Sequence, residues 1–553
     1  MSPWLAAAAQ IFVLLVLLVL LHRPLGDYLA RVLTSERDWR VERRLYQVLR
    51  IDPRADQRWS TYLAAVMGFS VVSVGLLWLI LSIQRVLPFA QGHGGMTADQ
   101  GFNTAVSFVT NTNWQSYSGE TTLGVFSQAA GLTVQNFVSA AVGISVLAAM
   151  IRGFLRRNSD RLGNFWVDLT RVVVRVLLPS SLIGAVILIA AGVIQNLSDP
   201  TTVTTLSGGS QTIPGGLVAS QEVIKELGTN GGGYFNANSA HPFENPNAFT
   251  DLFEIFLILL IPSVLPRTFG RMVGNLKQGM AILAVMVSLW ALSLTATLLS
   301  ENAHSGIALR AAGAAMEGKE GRFGIPMSSL FAVSTTLTST GAVNSMHSSF
   351  TGLGGGTLLL NMLLGEIAPG GTGSGLYGML ILAVITVFIA GLMVGRTPTY
   401  LGKQIGAQQM KFAAGYLLVT PALVLLGSGT ALLVPSARAG VDNAGPQGLT
   451  EILYATGSAS NNNGSAFAGL NANTPFWNFL LGALMFLGRF GCIALVLGFA
   501  GSVGRQSIKP ADAGTLPTHR PLFATMLFGV VILVAALTYL PALALGPIAE
   551  GLS

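Results

Sequence analysis

The chain has 553 residues, of which 51% are hydrophobic and only 10% charged, and its net charge is +7. A soluble domain carries about 25% charged residues, so this balance excludes an ordinary soluble enzyme and points to a helical integral membrane protein. The surplus of Lys and Arg lies in short segments between apolar runs, where topology signals sit, so it is no nucleic-acid footprint.

The first apolar run, near residues 3–22, is preceded by MSPWLAAAAQ, without Lys or Arg, and followed by Arg23, Arg31, Arg37, Arg40, Arg43 and Arg44. A signal peptide has the opposite order, so the run is expected to be an uncleaved first helix with its N-terminus outside. Nine further spans are expected near 60–84, 122–151, 170–195, 251–269, 278–300, 376–395, 412–434, 476–500 and 522–545. These runs are near-continuously apolar, whereas membrane β-strands would alternate over roughly 10 residues. The connections 23–59, 152–161, 266–277, 395–403 and 504–509 are all net basic and are expected to be cytoplasmic. The single Cys492 lies in an apolar run, which rules out a disulfide within the chain.

The four loops on the other side are long and rich in Gly, Ser, Thr and Asn. They read FNTAVSFVTNTNWQSYSG, SQEVIKELGTNGGGYFNANSAHPFENP, SLFAVSTTLTSTGAVNSMHSS and LTEILYATGSASNNNGSAFAG. Each contains a short helical piece followed by a polar stretch. Overlaid, they place Asn113-Trp114-Gln115 with Thr229-Asn230-Gly231, Ser339-Thr340-Gly341 and Asn462-Asn463-Gly464. The third positions, 115, 231, 341 and 464, are 116, 110 and 123 residues apart, the signature of an internal repeat. The expected organisation is an added helix and cytoplasmic segment at 1–59, four helix–pore loop–helix repeats at 60–151, 170–272, 278–395 and 412–503, and an added helix at 520–553.

Non-helical backbone survives at membrane depth only where protein buries it or it lines a watery cavity. Four re-entrant loops around one pseudo-fourfold axis meet that condition together. Their carbonyl oxygens would replace the water around a cation, and small residues leave the path open. Short helices ending at the centre add negative partial charge. With almost no carboxylate in the loops, the expected ion is monovalent and weakly hydrated; this reasoning leaves potassium and sodium both open.

Several strings carry a resemblance. TNTNWQSYSGE, GTNGGGYFNANSAHPFENP, TSTGAVNSMHSSF and GSASNNNGSAFAGLN, with GLMVGRTPTYLGK and NMLLGEIAPGGTGSGLYG, resemble the potassium-binding subunit of the Kdp-type potassium-pumping ATPase over essentially the whole chain. The resemblance implies a ten-span, potassium-channel-like fold in a bacterial cell (inner) membrane, with K+ as the transported ion. It also implies three partners: a P-type ATPase subunit that hydrolyses ATP, a single-span subunit with an external domain, and a very small membrane subunit. The filter residues it implies are Asn111, Asn113 and Gln115; Thr229, Asn230, Gly231 and Asn238; Ser339, Thr340 and Gly341; and Asn462, Asn463 and Gly464. It further implies that the ion leaves sideways toward the ATPase subunit, past a gate at GEIAPGGTGSG, residues 365–375, with Gly370 and Gly371 in it.

Glu366 in that break and Arg489 in LMFLGRFGC are charges in apolar surroundings, which mark ion paths or partners, or else a structural pair. Arg396, at the basic end of a span, serves coupling or membrane anchoring. Glu222, Glu226, Glu244 and Glu451 are expected to be solvated loop charges, and His241 and His347 to pack within their loops. Gly313–Glu320 imitates a phosphate-binding loop but has Glu320 where Ser or Thr would hold magnesium. No nucleotide site and no phosphorylation string is found, so the chain is expected to select an ion without hydrolysing ATP. A stand-alone channel or gradient-driven potassium transporter of the same superfamily and a membrane scaffold remain as alternatives.

Overall fold

The computed structural model describes residues 3–302, 315–395, 397–510 and 515–552. Arg396 and the start of the phosphate-loop mimic at Gly313 lie outside the described residues. Among the described residues, ten helices are long and apolar enough to cross a membrane: Leu5–Thr34, Trp59–Val86, Ser127–Leu155, Phe165–Ala190, Ala248–Met272, Leu276–Glu301, Ser374–Val394, Ala407–Leu433, Pro475–Gly504 and Pro521–Leu552. Nine of them coincide with the expected apolar runs to within seven residues; the first runs on to Thr34, twelve residues past its expected end, and takes in part of the segment expected to be a cytoplasmic connection.

The eight central spans fall into four pairs, each enclosing a shorter helix. These pore helices are Ala98–Val109, Val218–Leu227, Gly324–Leu337 and Gly445–Asn461. Burial separates the members of each pair. In the second helices, 61–83% of the apolar core is buried inside the protein, against 22–44% in the first helices. The second helices therefore form an inner layer and the first ones an outer layer that meets lipid. The two terminal helices, Leu5–Thr34 and Pro521–Leu552, are buried over 11% and 28% and lie outside the four pairs.

In the third quarter the inner layer is broken. A helix at Gly352–Leu363 stops, and the span Ser374–Val394 starts after ten intervening residues. The break carries left-handed backbone at Gly365, Glu366, Gly370 and Gly373, and a cis Ala368–Pro369 peptide. It is held from inside the protein: the Gly370 N–H donates to Leu337 O at 3.1 Å, at the end of the third pore helix. Gly373 lies so close to the inner helix of the first quarter that a Cβ there would meet Gly143 O at 2.2 Å. The polar backbone is thus protein-covered, as an interruption at membrane depth must be.

Ion pairs fasten the ends away from the pore loops. Asp27 accepts from both Arg267 (2.8 Å) and Arg271 (2.7 Å), which joins the first helix to the inner helix of the second quarter. Arg152 and Asp168 pair at 2.6 Å between the first and second quarters.

Candidate functional site

Each pore helix runs directly into a loop with one repeated backbone design. One N–H per loop reaches back five residues into its own pore helix: Thr112 to Ser107 O (2.9 Å), Asn230 to Lys225 O (2.8 Å), Thr340 to Thr335 O (3.2 Å) and Asn463 to Ser458 O (2.9 Å). The residues on either side of that N–H have left-handed φ. The pairs are Asn111 (68°) and Asn113 (59°), Thr229 (49°) and Gly231 (85°), Ser339 (57°) and Gly341 (80°), and Asn462 (64°) and Gly464 (104°). Left-handed backbone is disfavoured for ordinary L-residues by about 1–2 kcal/mol and is free for glycine, so two such residues per loop, in four loops, is a shape imposed by the assembly.

This design corrects the alignment of the first loop. Its equivalent of Thr229-Asn230-Gly231 is Asn111-Thr112-Asn113, two residues before Asn113-Trp114-Gln115. Gln115 occupies no turn position. Its Oε1 accepts the Gly233 N–H at 2.9 Å, so it braces the outer part of the second loop. Trp114 is buried behind the loop.

The four loops close on one another in chain order. From the first to the second, Asn111 Nδ2 donates to Thr229 O at 2.6 Å. From the second to the third, Gly231 lies so near that a Cβ would sit 1.8 Å from Thr340 O. From the third to the fourth, Ser339 Oγ donates to Asn462 O at 2.9 Å, and a Cβ on Gly341 would sit 2.2 Å from Asn463 O. From the fourth back to the first, Asn462 Nδ2 donates to Thr112 Oγ1 at 3.0 Å, and a Cβ on Gly464 would sit 1.9 Å from Thr112 O. Glycine is required at these three positions by contact as well as by φ.

The middle side chains bond into the scaffold. Asn230 Nδ2 donates to Asn111 Oδ1 (2.7 Å) and Ser139 Oγ (3.0 Å), Asn463 Nδ2 to Thr335 O (3.1 Å), and Thr340 Oγ1 lies 2.7 Å from Thr338 Oγ1. Asn113 Nδ2 donates to Asn136 Oδ1 at 2.5 Å. Asn238 stands apart from the ring: its Oδ1 accepts from Lys225 Nζ at 3.1 Å and from the Val343 N–H at 3.2 Å.

Beneath the ring, the break in the third quarter reaches the second loop through a residue the sequence reading missed. Thr372 Oγ1 donates to Gly228 O at 2.8 Å, and its N–H donates to Thr229 Oγ1 at 2.9 Å. Gly371 packs against Ser339, with a would-be Cβ 3.1 Å from Ser339 Cβ. Glu366 is 2% exposed, and neither of its oxygens is hydrogen-bonded. Arg489, also buried, donates to Ser139 O at 3.4 Å and forms no ion pair with Glu366. Both line one cavity that runs from Ser339 and Asn462 at the ring to Tyr539 on the last span, so they face a shared space and are not a structural pair.

The outer carboxylates also need correction. Glu222, Glu226, Glu244 and Glu451 are at most 1% exposed and are not solvated. Glu451 accepts from Asn443 Nδ2 at 2.5 Å, and the other three surround Lys225. His241 stacks on Phe235 with ring centroids 3.9 Å apart. His347 Nδ1 lies 2.7 Å from Tyr454 OH, which lies 2.9 Å from Ser465 Oγ, which donates to Asn463 Oδ1 at 2.5 Å. A histidine of the third loop is thereby linked to a ring residue of the fourth.

Comparison with known proteins agrees with this architecture. The family model described as "Potassium-transporting ATPase A subunit" matches residues 12–552. The chain is 60% identical over 553 residues to the potassium-transporting ATPase potassium-binding subunit of Streptomyces coelicolor, covering 100% of both chains. It is 59% identical over 556 residues to the protein of that name from Mycobacterium avium, again covering 100% of both. Among solved structures, it is similar to the potassium transporter TrkH from Vibrio parahaemolyticus, with a TM-score of 0.55 at 15% identity over 86% of this chain and 97% of that one, a likeness of fold. By the family match and these relatives, the chain belongs to the family of potassium-transporting ATPase A subunits.

Proposed function

We propose that this protein is the ion-selecting subunit of an ATP-driven potassium uptake complex, and that the ring of four loops is its filter. One observation carries the reading: the same turn, with its middle N–H bonded back into the pore helix and left-handed residues on either side, occurs four times in a closed ring. Committing those N–H groups to the scaffold leaves neighbouring carbonyl oxygens available to a cation on the axis. Asn111, Thr112 and Asn113 form the first quarter; Thr229, Asn230 and Gly231 the second; Ser339, Thr340 and Gly341 the third; Asn462, Asn463 and Gly464 the fourth. The pore helices add the negative ends of their dipoles. Gln115 and Asn238 act in support, fixing the loops from outside the ring.

The relatives' names support potassium as the cargo and a pump complex as the setting. ATP is hydrolysed on a partner P-type ATPase chain, with a single-span subunit and a small membrane subunit completing the assembly. The basic connections support a ring that faces outward from the bacterial inner membrane. The cavity that joins Ser339 and Asn462 to Glu366, Arg489 and the last span supports a lateral exit beneath the ring, with the break at residues 365–375 as its gate.

Rubidium uptake by the whole complex in proteoliposomes tests this. Saturable, ATP-dependent uptake, weakened by substitution at Gly341 and unaltered by collapse of other ion gradients, is the expected result. Uphill uptake by this chain alone without ATP would establish a gradient-driven transporter instead.

A further inference from the structure

Behind the second quarter of the ring lies a set of charges that ion filtering does not use. Glu222, Lys225 and Glu226 come from the second pore helix, Glu244 from the loop that follows, and Glu254 from the inner helix Ala248–Met272. All five are at most 1% exposed. Lys225 Nζ lies 2.8 Å from both Glu222 Oε2 and Glu244 Oε2, and 3.7 Å from Glu226 Oε1. The other oxygens of the first two are also satisfied: Glu222 Oε1 accepts from Ser239 Oγ at 2.9 Å, and Glu244 Oε1 from the Phe235 N–H at 2.7 Å. Glu226 and Glu254 are different. None of their four oxygens accepts a hydrogen bond, and among the described residues Glu254 has no ion-pair partner.

With all four carboxylates ionised, one ammonium leaves three negative charges inside the protein, a state that burial disfavours by several kcal/mol per charge unless protons or a bound cation offset it. The geometry suggests how this is offset. Glu222, Glu226 and Glu254 each offer an oxygen, and these oxygens lie within 4.8 Å of one another. Calcium–oxygen distances are about 2.3–2.6 Å, so an ion among these oxygens spans such a group. The donor set is all carboxylate, which suits a hard divalent cation, and two positive charges offset more of the surplus than one. Glu254 is the telling member: it comes from a separate helix, brings one oxygen to the cluster, and has no hydrogen-bond donor on either oxygen.

We infer that Glu222, Glu226 and Glu254 form a binding site for a divalent cation of calcium size. The ion clamps the second pore helix to the inner helix behind it, at a place distinct from the ring. The whole complex, purified in detergent and equilibrated with calcium, provides the test. After gel filtration, wild type should retain one more calcium ion than Glu254→Gln, and potassium at saturating concentration should not displace it. Calcium should also raise the unfolding temperature of wild type and not of the variant, because only a folded-state site shifts that midpoint. Equal calcium content in both, or release by potassium, overturns the site. If Glu254→Gln fails to assemble, Glu226→Gln replaces it, and wild type free of potassium-resistant calcium overturns the inference unaided. None of these readouts depends on transport, so failure here leaves the filter untouched.

Discussion

The first quarter of the ring and the other three solve the same problem with different residues. Gly231, Gly341 and Gly464 press against the next loop so closely that no side chain fits, whereas the first quarter uses Asn113 in the equivalent left-handed position. The room for the Asn113 side chain comes from the second loop. Gly232, also left-handed at φ 67°, lies where a Cβ would stand 3.0 Å from Gln115 Oε1 and 3.3 Å from Asn113 Cβ. The consecutive glycines of GTNGGG therefore have separate tasks: Gly231 fits the third loop, and Gly232 makes way for the first. At this junction the glycine has moved from one side of the contact to the other, and Asn113 gains a bond to Asn136.

Exchange across that contact gives the largest expected effect in one direction and a small one in the other. Gly464→Asn, which copies the first quarter into the fourth, sets a Cβ 1.9 Å from Thr112 O and should abolish saturable potassium binding by the complex. The reverse change, Asn113→Gly, removes one hydrogen bond worth about 1 kcal/mol and should weaken binding by less than about tenfold. Equal damage from the two, measured by calorimetric titration, would remove the distinction between the quarters. Next comes Gly341→Ala, which combines left-handed φ with a Cβ 2.2 Å from Asn463 O. The φ penalty alone is about 1–2 kcal/mol, so affinity should fall by about tenfold or more. Gly232→Ala bears the same φ penalty with looser contacts, and should lower affinity by about tenfold at most. An alanine at 232 as harmful as one at 341 would mean that Gly232 fits the ring itself.

A separate effect, on stability instead of affinity, concerns pH. His347 is buried near Lys319, and these two causes push its pKa down to about 3. Its folded form stays neutral while the unfolded chain takes up a proton below about pH 6.5. Stability should therefore fall as pH drops from about 6.5 toward 3, by at most about 1.4 kcal/mol per pH unit, and should not depend on this group above that window. His347→Gln should flatten that part of the profile of unfolding temperature against pH. An unchanged slope would show that other groups govern acid sensitivity.

The ten spans and four polar loops were readable because length and apolarity specify a membrane helix almost without context. The register of the first loop was not. Matching polar triplets favoured Gln115, because an amide looks like a ligand, whereas the structure repeats backbone handedness. A usable signal was present: Thr110-Asn111-Thr112-Asn113 lies over Thr338-Ser339-Thr340-Gly341, and in both loops the two threonine hydroxyls touch, at 2.8 and 2.7 Å. The buried carboxylates were misread for another reason. Charges on a pore helix suggest water until Glu244 pairs with Lys225 and Glu254 comes up against Glu222 and Glu226, and nothing local to SQEVIKELG announces those neighbours. Thr372 escaped notice because an isolated threonine in a glycine-rich stretch has no pattern to mark it.

A channel made from four identical subunits changes all four sides of its pore with every codon it alters. Here the loops are joined in one polypeptide, and each junction has its own chemistry: an amide to a carbonyl, a glycine against a threonine, a hydroxyl to a carbonyl, an amide to a hydroxyl. A single substitution therefore adjusts a quarter of the ring and leaves three quarters as references. Heredity can tune such a pore in steps one-fourth the size open to a symmetric tetramer, and an experimenter can do the same.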